Sequence, residues 1–87
     1  MIIEKIGNRC NICGGRVREA REKLQLSQEL LAAKLQTEGL GVNQNSISRI
    51  ETGKRLVADF ELVALSKVLG VSMEWLVNGP QETDSKE

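Results

Sequence analysis

Gln44, Asn45, Ser48 and Arg49 are four polar side chains gathered in one short stretch. On a helix they share one side, while Ile47 and Ile50, three positions apart, fall on the other. Amides pair bidentately with adenine, and a guanidinium with guanine, at base edges in the major groove. No carboxylate interrupts this face before Glu51. Taken alone, a solvated polar helix face accounts for the same residues equally well. The sequence on either side is what favours the chemical reading.

Asn43 is an N-cap type, and Val42 before it can staple against Ile47. Gly53 falls where a left-handed helix terminus belongs, followed by Lys54 and Arg55. Upstream, Ser27 caps a second helix running from Gln28 to about Glu38, with Leu31, Ala32 and Leu35 inward and Leu30 left partly exposed. Gln28, beside the free N–H groups of that helix start, is placed to meet an anionic phosphate. A first helix spans about Ile12 to Leu24, its apolar stripe drawn through Cys10, Cys13, Val17, Ala20 and Leu24. Gly14 and Gly15 weaken its start by about 1 kcal/mol each relative to alanine.

Asp59 is the expected N-cap of a fourth helix to Leu69, with Leu62, Leu65, Val68 and Leu69 as core positions and Gly70 just beyond. Ser72 caps a short fifth helix, Met73 to Val77, stopped by Asn78-Gly79-Pro80. The expected architecture is all-α, a compact five-helix bundle. Residues 1–11 read as an N-terminal arm, with a frayed arm, a first helical turn and a dimer-contact strand all open for residues 1–9. Residues 12–79 read as the domain and 80–87 as a disordered tail. Helices two and three, joined through Gly39-Leu40-Gly41, have the order of a helix-turn-helix.

Eighty-seven residues make one small domain. The net charge is zero, with 12 basic and 12 acidic residues, which argues against a strongly basic nucleic-acid binder. Residues 81–87 carry a net −2, however, leaving +2 on residues 1–80 and a salt-sensitive attraction to phosphate. Histidine is absent, so His-based acid–base and triad chemistry is excluded, and neither Gly14-Gly15 nor Gly39-Leu40-Gly41 has the spacing of a phosphate cradle. No apolar run approaches the ~20 residues of a membrane span, and no signal pattern opens the chain, so a cytoplasmic protein is expected. Cys10-Asn-Ile-Cys13 offers half a zinc site without a third cysteine or a histidine to extend it. Buried free thiols on a helix face are the better reading, and neither metal nor cofactor is expected.

Six fragments resemble the Xre/Cro–repressor-type helix-turn-helix regulators, in that family's order: Arg18-Glu-Ala-Arg21, Leu26-Ser-Gln-Glu29, Leu31-Ala-Ala-Lys-Leu35, Ser46-Ile-Ser-Arg-Ile-Glu51, Gly53-Lys-Arg55 and Leu69-Gly-Val-Ser-Met-Glu-Trp-Leu76. The segment from Gly70 to Gly79 is similar to the end of lambdoid phage repressor DNA-binding domains. The resemblance implies a lambda-repressor-like fold and sequence-specific binding of double-stranded DNA by a transcriptional regulator, a repressor. It implies base contacts from Gln44, Asn45, Arg49 and also Ser48. Phosphate contacts would come from Gln28, Asn43, Ser46, Lys54 and Arg55, and an ion pair between Arg21 and Glu51 would tie helix 1 to the end of helix 3. Against the family pattern, Gln36-Thr-Glu-Gly-Leu40 reads as a five-residue insertion that lengthens helix 2 by about a turn. Leu30 also removes half of a capping box, and no proline follows Arg55.

The family reads half-sites as homodimers, and Met73, Trp75, Leu76 and Val77 are one candidate contact, Ile2, Ile3 and Ile6 another. A protein-interaction module of the same fold, such as an antitoxin or bridging adaptor, is the second reading. Neutral charge and free hydrophobics favour it, and the base-reading face of helix 3 speaks against it. A thiol- or metal-sensing regulator using Cys10 and Cys13 is a third. An enzyme is the least supported class, with scattered carboxylates and little volume for a substrate pocket.

Overall fold

The computed structural model describes residues 7–80, which form five α-helices: α1 Gly14–Lys23, α2 Gln28–Thr37, α3 Gln44–Glu51, α4 Asp59–Leu69 and α5 Met73–Asn78. Among the described residues there is no strand. Expectations for Ile2, Ile3 and Ile6 and for residues 81–87 lie outside the described residues.

Val17, Leu31, Leu35, Ile47, Ile50, Leu65 and Leu76 are fully buried and bring all five helices to one core. Burying a side chain of this size contributes about 1.5–3 kcal/mol, so this cluster is the main hold on the fold. α3 packs on α1 and most extensively on α2, while α4 and α5 close the opposite side. Leu40 lies against the core, so the chain between α2 and α3 is anchored by its own leucine. The side-chain amide of Gln36 also donates to the Val42 carbonyl at 2.6 Å.

Local signals set most of the helix ends. The Ser27 hydroxyl accepts from Leu30 N–H, and the Ser72 hydroxyl accepts from Trp75 N–H. Gly53 and Gly70 take left-handed backbone at φ +80° and +71° after α3 and α4. Leu30 is exposed, as its place outside the inner face of α2 required.

Three expectations need correction. Cys10 precedes α1, because its N–H is drawn to the Gly53 carbonyl at 2.7 Å and the chain bends before the helix begins. Leu24 follows α1 and is 48% exposed, so only Cys13, Val17 and Ala20 of the expected stripe are buried. Just after it, Gln25 adopts φ +59°, which ends the helix and turns the chain. Finally, α4 is entered from Ala58 and not Asp59: the Glu61 carboxylate reaches back to accept from Ala58 N–H at 3.0 Å, so no capping side chain is needed at the entry residue.

Candidate nucleic-acid interface

α3 has two faces of opposite character. Ile47 and Ile50 are buried, while Gln44, Asn45 and Arg49 are exposed and Ser48 is half-buried beside them. The four residues expected to read bases are thus brought together on one side of one helix. Arg49 folds toward the following turn, its guanidinium donating to the Lys54 carbonyl at 3.2 Å.

The N-terminal end of α3 is capped from within. Asn43 Oδ1 accepts from Ser46 N–H at 2.9 Å, and Ser46 Oγ accepts from Asn43 N–H at 3.2 Å. Ser46 Oγ also donates to Asn43 Oδ1 at 3.1 Å, so the Ser46 hydroxyl is committed to the cap. The Asn43 amide nitrogen is left over from this arrangement as a donor.

At the other end sits Glu51, the single buried charged residue among those described. Arg21 grips it with a fork, Nε to Oε2 at 2.6 Å and Nη2 to Oε1 at 3.1 Å, with side-chain exposures of 12% and 4%. The carboxylate raises the Arg21 pKa above its ordinary value, chiefly through this hydrogen bond. Gln28 adds Nε2 to Oε1 at 3.0 Å, and Arg21 Nη1 donates to the Leu26 carbonyl at 2.8 Å. Glu51 is therefore neutralised and adds no negative field to the exposed face. The link from Gln28 was not visible in the sequence.

The other cations expected at phosphates divide sharply. Lys54 is exposed, and its ammonium has no partner among the described residues. Arg55 instead pairs through both terminal nitrogens with the Glu61 carboxylate, each at 3.0 Å. The Arg55 guanidinium holds the Glu61 carboxyl below the usual carboxylate range. The Glu61 reach to Ala58 had a sequence signal, an acidic residue three positions into the helix, but its pairing with Arg55 had none.

Cys10 and Cys13 line one shallow cleft with Ile12, Val57, Leu62 and Val77. Burial pushes the Cys13 thiol up from its ordinary pKa. Among the described residues, no group of three or more potential metal ligands comes together.

Residues 17–76 match the helix-turn-helix family model. The chain belongs to the helix-turn-helix family, of the Xre/Cro–repressor type. Among solved structures, it is similar to the P22 c2 repressor protein, crystallised in complex with synthetic operator 9T in the presence of Tl+. The two are 31% identical with a TM-score of 0.69, over 80% of this chain and 98% of that one. In this helix-turn-helix chain, α2 and α3 are the two helices of the motif. Leu40, in the connection between α2 and α3, is partly buried and packs against the core. Among the described residues, no helix is long and apolar enough to cross a membrane.

Proposed function

We propose that this helix-turn-helix protein is a sequence-specific transcriptional regulator, a repressor, that lays α3 in the major groove of double-stranded DNA. Gln44, Asn45 and Arg49, with Ser48 beside them, read base edges. Lys54 is the principal phosphate contact, its charge being unclaimed among the described residues. Gln28 contributes the amide proton that Glu51 does not take, and Asn43 its free amide nitrogen. Ser46 and Arg55 act mainly through their neighbours, as a cap and as an ion pair. The supporting observation is the exposed amide and guanidinium row of α3 beside a carboxylate neutralised by Arg21 and Gln28. Likeness to a repressor crystallised on operator DNA supports the same reading.

Paired half-sites about 34 Å apart need two copies in contact. α5 offers less surface for this than the sequence promised, because Leu76 is fully buried and Trp75 and Val77 are half-buried. Phe60 at 64% and Val63 at 51% exposure, on the outer face of α4, supply more apolar area for a homodimer. The same exposed residues keep a protein partner, such as a toxin, as a second reading. A cytoplasmic, non-enzymatic role goes with either.

Selection from a randomised duplex library tests the assignment, followed by anisotropy titration and light scattering of the complex. A recovered sequence preferred at least a hundredfold over random duplex, bound by two copies, supports a regulator. Arg49→Ala is then expected to lose about 1–3 kcal/mol at one base position with the fold intact. Uniform loss on every sequence would make Arg49 a phosphate contact, and failure to recover any sequence would move the protein-partner reading ahead.

A further inference from the structure

The C-terminal end of α3 is closed by a segment that precedes the family match. A helix end leaves carbonyls without intrahelical partners, and here side chains from before α1 supply them. Asn11 Nδ2 donates to the Ile50 carbonyl at 3.1 Å and to the Arg55 carbonyl at 2.8 Å. Its Oδ1 accepts from Gly14 N–H at 2.8 Å, so one amide binds the start of α1, the last turn of α3 and the loop beyond. Arg9 Nη2 donates to the Glu51 carbonyl at 3.3 Å while its Nε donates to the Asn11 carbonyl at 3.2 Å. Cys10 N–H donates to the Gly53 carbonyl.

Two glycines show how closely these parts fit. A Cβ on Gly14 would meet the Ile50 carbonyl oxygen at 2.1 Å, and a Cβ on Gly53 would meet the Arg9 guanidinium carbon at 2.6 Å. Gly53 also carries φ +80°, a left-handed backbone that disfavours a side chain there, whereas the Arg9 side chain could shift. Between the two carbonyls that Asn11 spans lie Glu51 to Lys54, and the turn is tightened by Lys54 N–H donating to the Arg49 carbonyl at 2.8 Å. Asn11 therefore fixes the ends of the loop that carries Lys54 and receives the Arg49 guanidinium.

We propose that Asn11, supported by Arg9, is a positioning residue for DNA binding: it holds the Lys54 turn at a fixed height relative to the base-reading face of α3. The family match covers residues 17–76 and so leaves this clamp outside it. The proposal rests on the DNA-binding reading and adds that residues 9–11 are part of the reading unit. A preset turn delivers its cation to one phosphate without an ordering cost, whereas a loose turn averages the contact away.

Asn11→Ser is the diagnostic variant, because a hydroxyl can still accept from Gly14 N–H but cannot span the Ile50 and Arg55 carbonyls. Binding of the full chain to its selected duplex and to random duplex is measured across salt concentrations, alone and combined with Lys54→Ala. The expected result is a roughly tenfold loss on the selected duplex and a salt slope flatter by about one unit. Lys54→Ala then costs little more in the Asn11→Ser background, having cost severalfold in the wild type. A folded Asn11→Ser protein with wild-type salt slope and an additive double-mutant cycle would overturn the proposal, since mere loss of stability changes neither. If Asn11→Ser loses cooperative melting, Arg9→Lys keeps the charge, removes the guanidinium fork and is judged by the same pattern at smaller amplitude. Wild-type protein without any sequence preference would instead sink the DNA-binding reading itself, so the two failures are distinct.

Discussion

At its N-terminus α3 is finished by its own neighbours, and at its C-terminus by distant ones. Asn43 and Ser46, three positions apart, cap each other. The last turn is held by Gln28, Arg21, Asn11 and Arg9, at separations of 23, 30, 39 and 42 residues. A local cap costs little chain entropy and specifies only that a helix starts. A set of long-range contacts also specifies where that helix sits relative to α1 and α2, which is what a surface meeting a rigid duplex requires. The contacts at the C-terminal end of α3 thus add to its core packing on α1 and α2 in setting its orientation.

The largest effect is expected where that end is charged. Arg21→Ala leaves the Glu51 carboxylate buried with only Gln28 as a side-chain donor, and removing one partner of a buried pair costs about 3–5 kcal/mol. Urea denaturation of the full chain measures it. A loss below about 1 kcal/mol would mean that Glu51 turns outward and finds water, and that the distant contacts do not orient the helix.

A smaller and more local effect is expected at the other end. Asn43→Ala removes the acceptor for Ser46 N–H and should cost about 1 kcal/mol. Faster amide exchange at the first turn of α3, with the Arg21–Glu51 fork unaffected, is the accompanying sign. If that substitution instead destabilised the chain as much as Arg21→Ala, the contrast between the two ends would fail.

The same contrast explains what could be read from the chain. Five helices, the caps at Ser27, Asn43 and Ser72, and the buried Ile47 and Ile50 follow from patterns within a few residues, and sequence reasoning reached them all. The Arg21–Glu51 pair was reached only through family resemblance, because nothing in the spacing of two charges 30 residues apart announces a contact. Asn11 carried no signal: it lies between two cysteines whose spacing attracted a metal or helix-face reading. Gly14 was read as a weak helix start, whereas the closeness of the Ile50 carbonyl is what requires a residue without Cβ. Cys10 and Leu24 satisfied a helical period that the chain does not follow, since the bends before Gly14 and at Gln25 are set by tertiary contacts and turn geometry.

The smallest expected effect concerns Arg55, which sequence reasoning placed among the phosphate contacts and which Glu61 holds from beyond the same turn. The Glu61 carboxyl sits below its ordinary range in the folded chain, so its contribution is full above the unfolded value of about 4.3 and is lost as pH falls through the lower folded value. Glu61→Gln keeps an acceptor for Ala58 N–H and removes only the charge. The difference in melting temperature between wild type and Glu61→Gln should therefore be greatest near neutral pH and should close below about pH 4. With both partners partly exposed, the gap should correspond to about 1 kcal/mol or less and shrink in high salt. A gap constant across that range would mean that the Glu61 charge does not hold Arg55. Its guanidinium would then be free to join Lys54 at the phosphates, and the salt slope of DNA binding should steepen by about one unit over that expected with Arg55 held.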